Sequence, residues 1–142
     1  MPEGNVAFDV RVPIDRAWAF LSDMQKVGSC VPGVEAIQVE DERHAKWTLK
    51  VKIGPFTQTI HVDTETLEQV PPSRARFRGV ADNMEMVGTI ELQPAGEATH
   101  INYSMVATAK GPLARIMDNF MKSRLKQQSD EFAANVKKAL ES

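Results

Sequence analysis

Three histidines, a single cysteine and a single tyrosine are the side chains here best equipped for chemistry. His44, His61 and His100 would hold a metal or carry protons if they converged with a carboxylate or thiolate. Each instead falls on the polar register of an alternating stretch, as a solvated strand residue does. Cys30 stands beside Val31-Pro32-Gly33 with no base nearby, and reads as a small buried hydrophobe rather than a nucleophile. Asp82, Asn83 and Glu85 fall at a turn, where Asp and Asn are favoured for backbone reasons. There is no Cys-x-x-Cys, His-Glu-x-x-His, Walker-type loop, Gly-x-Gly-x-x-Gly or Gly-x-Ser-x-Gly. The residues therefore point to no catalytic set, no metal site and no resident cofactor.

The methionines say more. Met84, Met86, Met105, Met117 and Met121 all fall on apolar registers. Methionine is flexible and polarisable, and suits adaptable binding surfaces as well as core packing. Tyr103 shares the register of Met105, and its hydroxyl needs a partner when buried, which makes it a polar handle for a ligand. Phe8, Trp47, Leu49, Phe77 and Phe120 complete the expected apolar lining. Asp82 is the other titratable group that this reading brings near the interior.

Elements of two kinds must position these residues. The C-terminal segment Pro112 to Glu141 reads as one helix, about 44 Å long. Its apolar positions Leu113, Ile116, Met117, Phe120, Met121, Leu125, Phe132, Val136 and Leu140 form one drifting stripe. Leu125 is the only large apolar residue between Lys122 and Asp130, so that stretch is expected to face solvent or bend. The partner surface precedes it. Val6 to Val12 alternates as a strand, and Pro13 ends it. Asp15 is the expected cap of a short helix carrying Ala17, Trp18, Phe20 and Leu21, and a second short helix covers Met24 to Ser29. A modest strand follows at Val34 to Glu40. Then come a hairpin of 44–53 and 56–63 turning at Gly54-Pro55, a strand over 74–78 with a turn at Gly79 to Asn83, and strands over 84–92 and 100–107. Phe56, Gln58, Ile60 and Val62 are assigned to the hairpin's apolar face. The expectation is an α+β fold, a curved seven-stranded antiparallel sheet around the long helix with two short helices after strand 1.

At 142 residues, positions 1–142 form one domain. A net charge of −2 gives no signal for nucleic acid. No apolar run is long enough to span a membrane, and no signal peptide is visible. Arg74, Arg76 and Arg78 on one strand and Lys46, Lys50 and Lys52 on another would form an anion or partner patch if those strands were neighbours. Arg115, Lys122, Arg124 and Lys126 make the helix locally basic, fit to touch an anionic membrane or partner.

Several strings resemble the CoxG family of carbon monoxide dehydrogenase proteins, within the START-like, SRPBCC helix-grip superfamily. They are VPIDRAWAFLSD at 12–23, CVPGVE at 30–35, VKIGPF at 51–56, KGPLARIM at 110–117 and the closing FAANVKKALE. The resemblance implies an apolar cavity between curved sheet and helix. It also implies an accessory role beside a molybdenum-containing carbon monoxide dehydrogenase or related hydroxylase, handling a quinone or lipid-like molecule at the inner face of the membrane. Some family members contact the membrane through a tail beyond the last helix. This sequence ends at Ser142, so the expectation is a cytoplasmic binding protein with peripheral membrane contact and no fixed anchor. Two other roles stay open: a cyclase or hydrolase using the same cavity, and an assembly factor binding a protein through the basic sheet face.

Overall fold

The computed structural model describes residues 3–142, apart from Gly54, Leu113 and the side chains of Ile53, Met117 and Ser123. The alternating stretches form β1 (Glu3–Val10), β2 (Val34–Val39), β3 (His44–Ile53), β4 (Phe56–Val70), β5 (Arg74–Ala81), β6 (Met84–Ala95) and β7 (Ala98–Ala109). The helices are α1 (Ile14–Leu21), α2 (Met24–Gly28) and α3 (Ala114–Glu141). All strand pairs are antiparallel, in the order β1-β7-β6-β5-β4-β3-β2. This is the α+β architecture that the alternation predicts. Strands β1 and β2 occupy opposite edges, so α1 and α2 must carry the chain across the sheet. Accordingly α1 packs on β6 and β7, and α2 on β2.

Local chemistry corrects several boundaries. Pro13, not Asp15, holds the N-cap position of α1, with no side-chain cap bond. Asp15 lies in the first turn, where the helix dipole favours a carboxylate. The side chain of Asp23 caps α2, accepting from the backbone N–H of Gln25 at 3.0 Å and Lys26 at 3.2 Å. Strand β4 continues past Asp63 to Val70, and β5 runs through Gly79 to Ala81. Opposite charges across the pair, Glu65 facing Arg78 and Glu68 facing Arg76, favour that extension. The chain turns at Asp82-Asn83, where Asn83 takes φ 62°. The Gly54 half of the expected Gly54-Pro55 turn lies outside the described residues.

The helix α3 is 28 residues long and packs chiefly on β1 and β7. Its C-terminal half buries Phe132, Val136 and Leu140 against Val10, Val12, Ile101, Ile90 and Leu92, with Ala17 and Cys30 from the connection. Its N-terminal half buries Met121 and Leu125 against Ala107. The middle neither bends away nor faces solvent. Leu125 is buried there, and Ser129 is 4% exposed. The reason is Gly4: a Cβ at that position would lie 2.7 Å from Ser129 Oγ and 3.1 Å from the Leu125 carbonyl oxygen. Helix and edge strand approach too closely for larger side chains, so a serine fills a core position.

Candidate ligand-binding site

The pairing register sorts the strands into two faces. One face carries Val6 and Phe8 of β1 and Tyr103, Met105 and Ala107 of β7. It continues through Met84, Met86, Gly88 and Ile90 of β6, Phe77 and Gly79 of β5, Val62 and Ile60 of β4, and Trp47 and Leu49 of β3. This is the face that α3 and α1 cover.

The sequence-predicted lining divides into three groups on it. Phe8 and Tyr103 pack on the large core beneath the C-terminal half of α3. Met84, Met86, Met105 and Phe120 pack around Met121 beneath its N-terminal half. Trp47, Leu49 and Phe77 belong to neither cluster among the described residues and stay half-buried. The side chain of Met117 lies outside the described residues. Of the methionines named, only Met121 is fully buried; Met84, Met86 and Met105 keep part of their surface free. Phe56 is not part of this lining: it stands 71% exposed at the start of β4, beyond the end of β5.

Fixed contacts hold the wall. The Trp47 indole N–H donates to Thr64 Oγ1 at 3.0 Å, and that hydroxyl donates to the Ala45 carbonyl at 3.2 Å. The Phe77 ring lies over Gly88, where a Cβ would come within 2.2 Å of its Cζ. Across the site, the Arg124 guanidinium of α3 donates to the Lys52 carbonyl of β3 and sits 5.1 Å from the Phe120 ring centroid. This contact draws the β3–β4 hairpin toward the N-terminal half of the helix. Part of the basic charge read from the helix sequence is therefore engaged in closing the fold.

Two polar side chains reach the interior. Tyr103 stacks at 5.0 Å on Phe132, and its hydroxyl meets only the thioether sulfur of Met105, at 3.8 Å. Sulfur is a weak acceptor, and burial holds the phenol above its ordinary pKa. The second is Asp118, which sequence reasoning counted only as a surface charge. Its Oδ1 is shielded from solvent and has no hydrogen-bond partner. Spacing could have flagged it: Asp118 lies three positions before Met121 and seven before Leu125, on their stripe. Asp82, by contrast, is exposed at its turn and contributes nothing to the interior.

The remaining candidates for chemistry are elsewhere. His44 lies between Asp41 at 2.9 Å and Glu65 at 3.2 Å, His61 faces Thr48, and His100 meets Asp9 at 2.6 Å, all exposed or on the outer face. No three metal-ligating side chains gather among the described residues. Cys30 is buried at 3% exposure, and burial raises its thiol pKa, as befits a packing residue. The two cationic strands are not neighbours: β4 separates β3 from β5 and places Asp63 and Glu65 between their charges. Arg78 binds Glu85 at 2.6 Å, Arg74 binds Glu68 at 3.3 Å, and Lys50 binds Glu35 at 2.9 Å, so the expected basic patch is a mixed, paired surface. Open depressions of about 330 Å³ beside Asp23 and Asp41 and about 380 Å³ beside Asn5 and Asn102 lie apart from the methionines. No helix among the described residues is long and apolar enough to cross a membrane.

No curated protein matches the chain. Solved structures do. A conserved protein from Geobacillus kaustophilus superposes with a TM-score of 0.80 at 20% identity, covering 97% of this chain and 94% of that one. A START superfamily protein from Mycobacterium smegmatis gives 0.75 at 10% identity, over 97% and 96% of the chains. The Zhui aromatase/cyclase from Streptomyces sp. R1128 gives 0.67 at 16% identity, over 97% and 92%. At such identities these likenesses establish the fold, a START-like helix grip. The family model for the CoxG protein of carbon monoxide dehydrogenase matches residues 7–141, nearly the whole chain, and the chain belongs to that family.

Proposed function

We propose that this chain is a binding protein for a hydrophobic small molecule, quinone-like or lipid-like, held between the curved sheet and α3. In this reading it serves a molybdenum-containing carbon monoxide dehydrogenase or related hydroxylase as an accessory protein. One observation carries the binding reading. The helix spends its packing surface on β1 and β7, while Trp47, Leu49, Phe77, Met84, Met86 and Met105 on the sheet's inner face stay half-buried. A filled core would bury them; an occupant would complete their burial at about 25 cal/mol per Å² of apolar area. Family membership supports the accessory role.

Peripheral membrane contact has its own support. Phe56 and Ile116 are 71% and 67% exposed, and Arg124 ties the hairpin end that carries Phe56 to the helix that carries Ile116. Exposed Lys52, Arg115 and Lys122 flank them, as an anionic lipid surface would require. The cyclase or hydrolase alternative would draw on Tyr103 and Asp118, the two interior polar side chains described above.

The test is Met86→Lys, which places a charge among Met84, Met105 and Met121 while sparing the outer face. The folded variant should lose uptake of a fluorescent apolar probe. Retention of full uptake by the folded variant would remove the methionine wall from the site.

A further inference from the structure

We infer that Asp118 selects the occupant: its carboxylate accepts a hydrogen bond from a hydroxyl on the bound molecule, so the site favours a phenol-like or hydroquinone-like ligand over one without a donor. This rests on the binding reading above. Asp118 precedes Val136 by 18 residues, five full turns at 3.6 residues each, so the two share one azimuth on α3. Val136 is fully buried against the sheet, which puts Asp118 at the centre of the sheet-facing stripe. One turn later on that stripe comes Met121, packed with Met84, Met86 and Met105. Structural reasons for a carboxylate there are missing. Arg115 and Lys122 stand three and four positions away, at the spacing that allows an ion pair, yet Asp118 pairs with neither among the described residues. It lies in the second turn of α3, beyond the reach of the helix dipole. Leaving a shielded carboxylate oxygen unbonded is costly. A ligand that supplies a donor relieves that cost, and one that offers only an ether or carbonyl oxygen does not, since a carboxylate accepts and does not donate.

The experiment compares 2-naphthol with 2-methoxynaphthalene, the same ring system with and without a donor, by calorimetric titration of the intact protein. The wild type should bind the naphthol at least tenfold more tightly, the scale of a hydrogen bond to a charged group. Asp118→Leu should abolish that preference while keeping affinity for the ether, and should melt higher because it loses an unbonded carboxylate. Asp118→Asn should keep part of the preference through its amide oxygen. Equal binding of the two probes by wild type would overturn the role of Asp118 and leave the binding reading standing. So would a lower melting temperature of Asp118→Leu, which would make the residue structural. Failure of both probes and of other apolar probes to bind would overturn the binding reading itself.

Discussion

Substituting Gly88 by alanine separates an occupied cavity from a packed core. The new methyl would lie 2.2, 2.5 and 2.8 Å from three carbons of the Phe77 ring, and no other atom is as close. Ordinary carbon contacts begin near 3.5 Å, so the ring must retreat by about 1.3 Å. It can retreat only away from β6, into the space between sheet and helix. If that space receives a ligand, the ring enters it freely. The strain is then small and is partly offset because alanine suits a strand better than glycine, so stability should change by less than about 1 kcal/mol. A filled core would instead resist, at about 1–3 kcal/mol. The displaced ring should also take ligand contact worth about two methylenes, roughly 1.6 kcal/mol or tenfold and more in affinity. Urea denaturation followed by tryptophan fluorescence gives the first quantity. Titration with 1-anilinonaphthalene-8-sulfonate gives the second. A stability loss near 3 kcal/mol with unchanged probe affinity would refute the reasoning.

Further expectations follow from single contacts. Arg78 at 2.6 Å and Lys110 at 3.0 Å hold the Glu85 carboxyl down to about 2 from 4.5. A depressed carboxylate contributes stability above its unfolded pKa and loses it as pH falls toward the folded value. Melting temperature should therefore drop between pH 4.5 and 2 in the wild type, and drop less steeply in Glu85→Gln; identical profiles would contradict the triad. Tyr103→Phe should leave stability within about 1 kcal/mol, because the lost hydroxyl has only a thioether partner. A loss of 2 kcal/mol or more in chemical denaturation would show a stronger bond than the Met105 contact. Thr99 is fully buried and donates to the Val12 carbonyl at 2.8 Å. Thr99→Val should cost about 1–3 kcal/mol by the same denaturation assay, by stranding that carbonyl.

The fold was legible because its signals are periodic. Alternation from Ala45 through Val62 and from Met84 through Ala107 marks strands whose two faces meet different solvents. Where the strands ended was less clear, because cross-strand partners decide it. Thr64 to Val70 alternate weakly by themselves, and Arg74, Arg76 and Arg78 recruit them. Ser129 misled for the opposite reason: a polar residue in a core position becomes sensible only once Gly4 lies against it. The apolar lining could be read from Met84, Met86 and Met105 because strand parity alone assigns their face. Two features of the site could not. The contact between Arg124 and the Lys52 carbonyl joins positions 72 apart in sequence. Asp118 was legible only as a charge, since its lack of a partner is a fact of three dimensions.

The central claim is that the space between sheet and helix holds an apolar molecule, and native mass spectrometry of gently purified protein addresses it most directly. A near one-to-one adduct that solvent extraction releases as a quinone or lipid is the predicted result. A protein that arrives empty, and takes up no added quinone analogue or fatty acyl probe, would contradict the account.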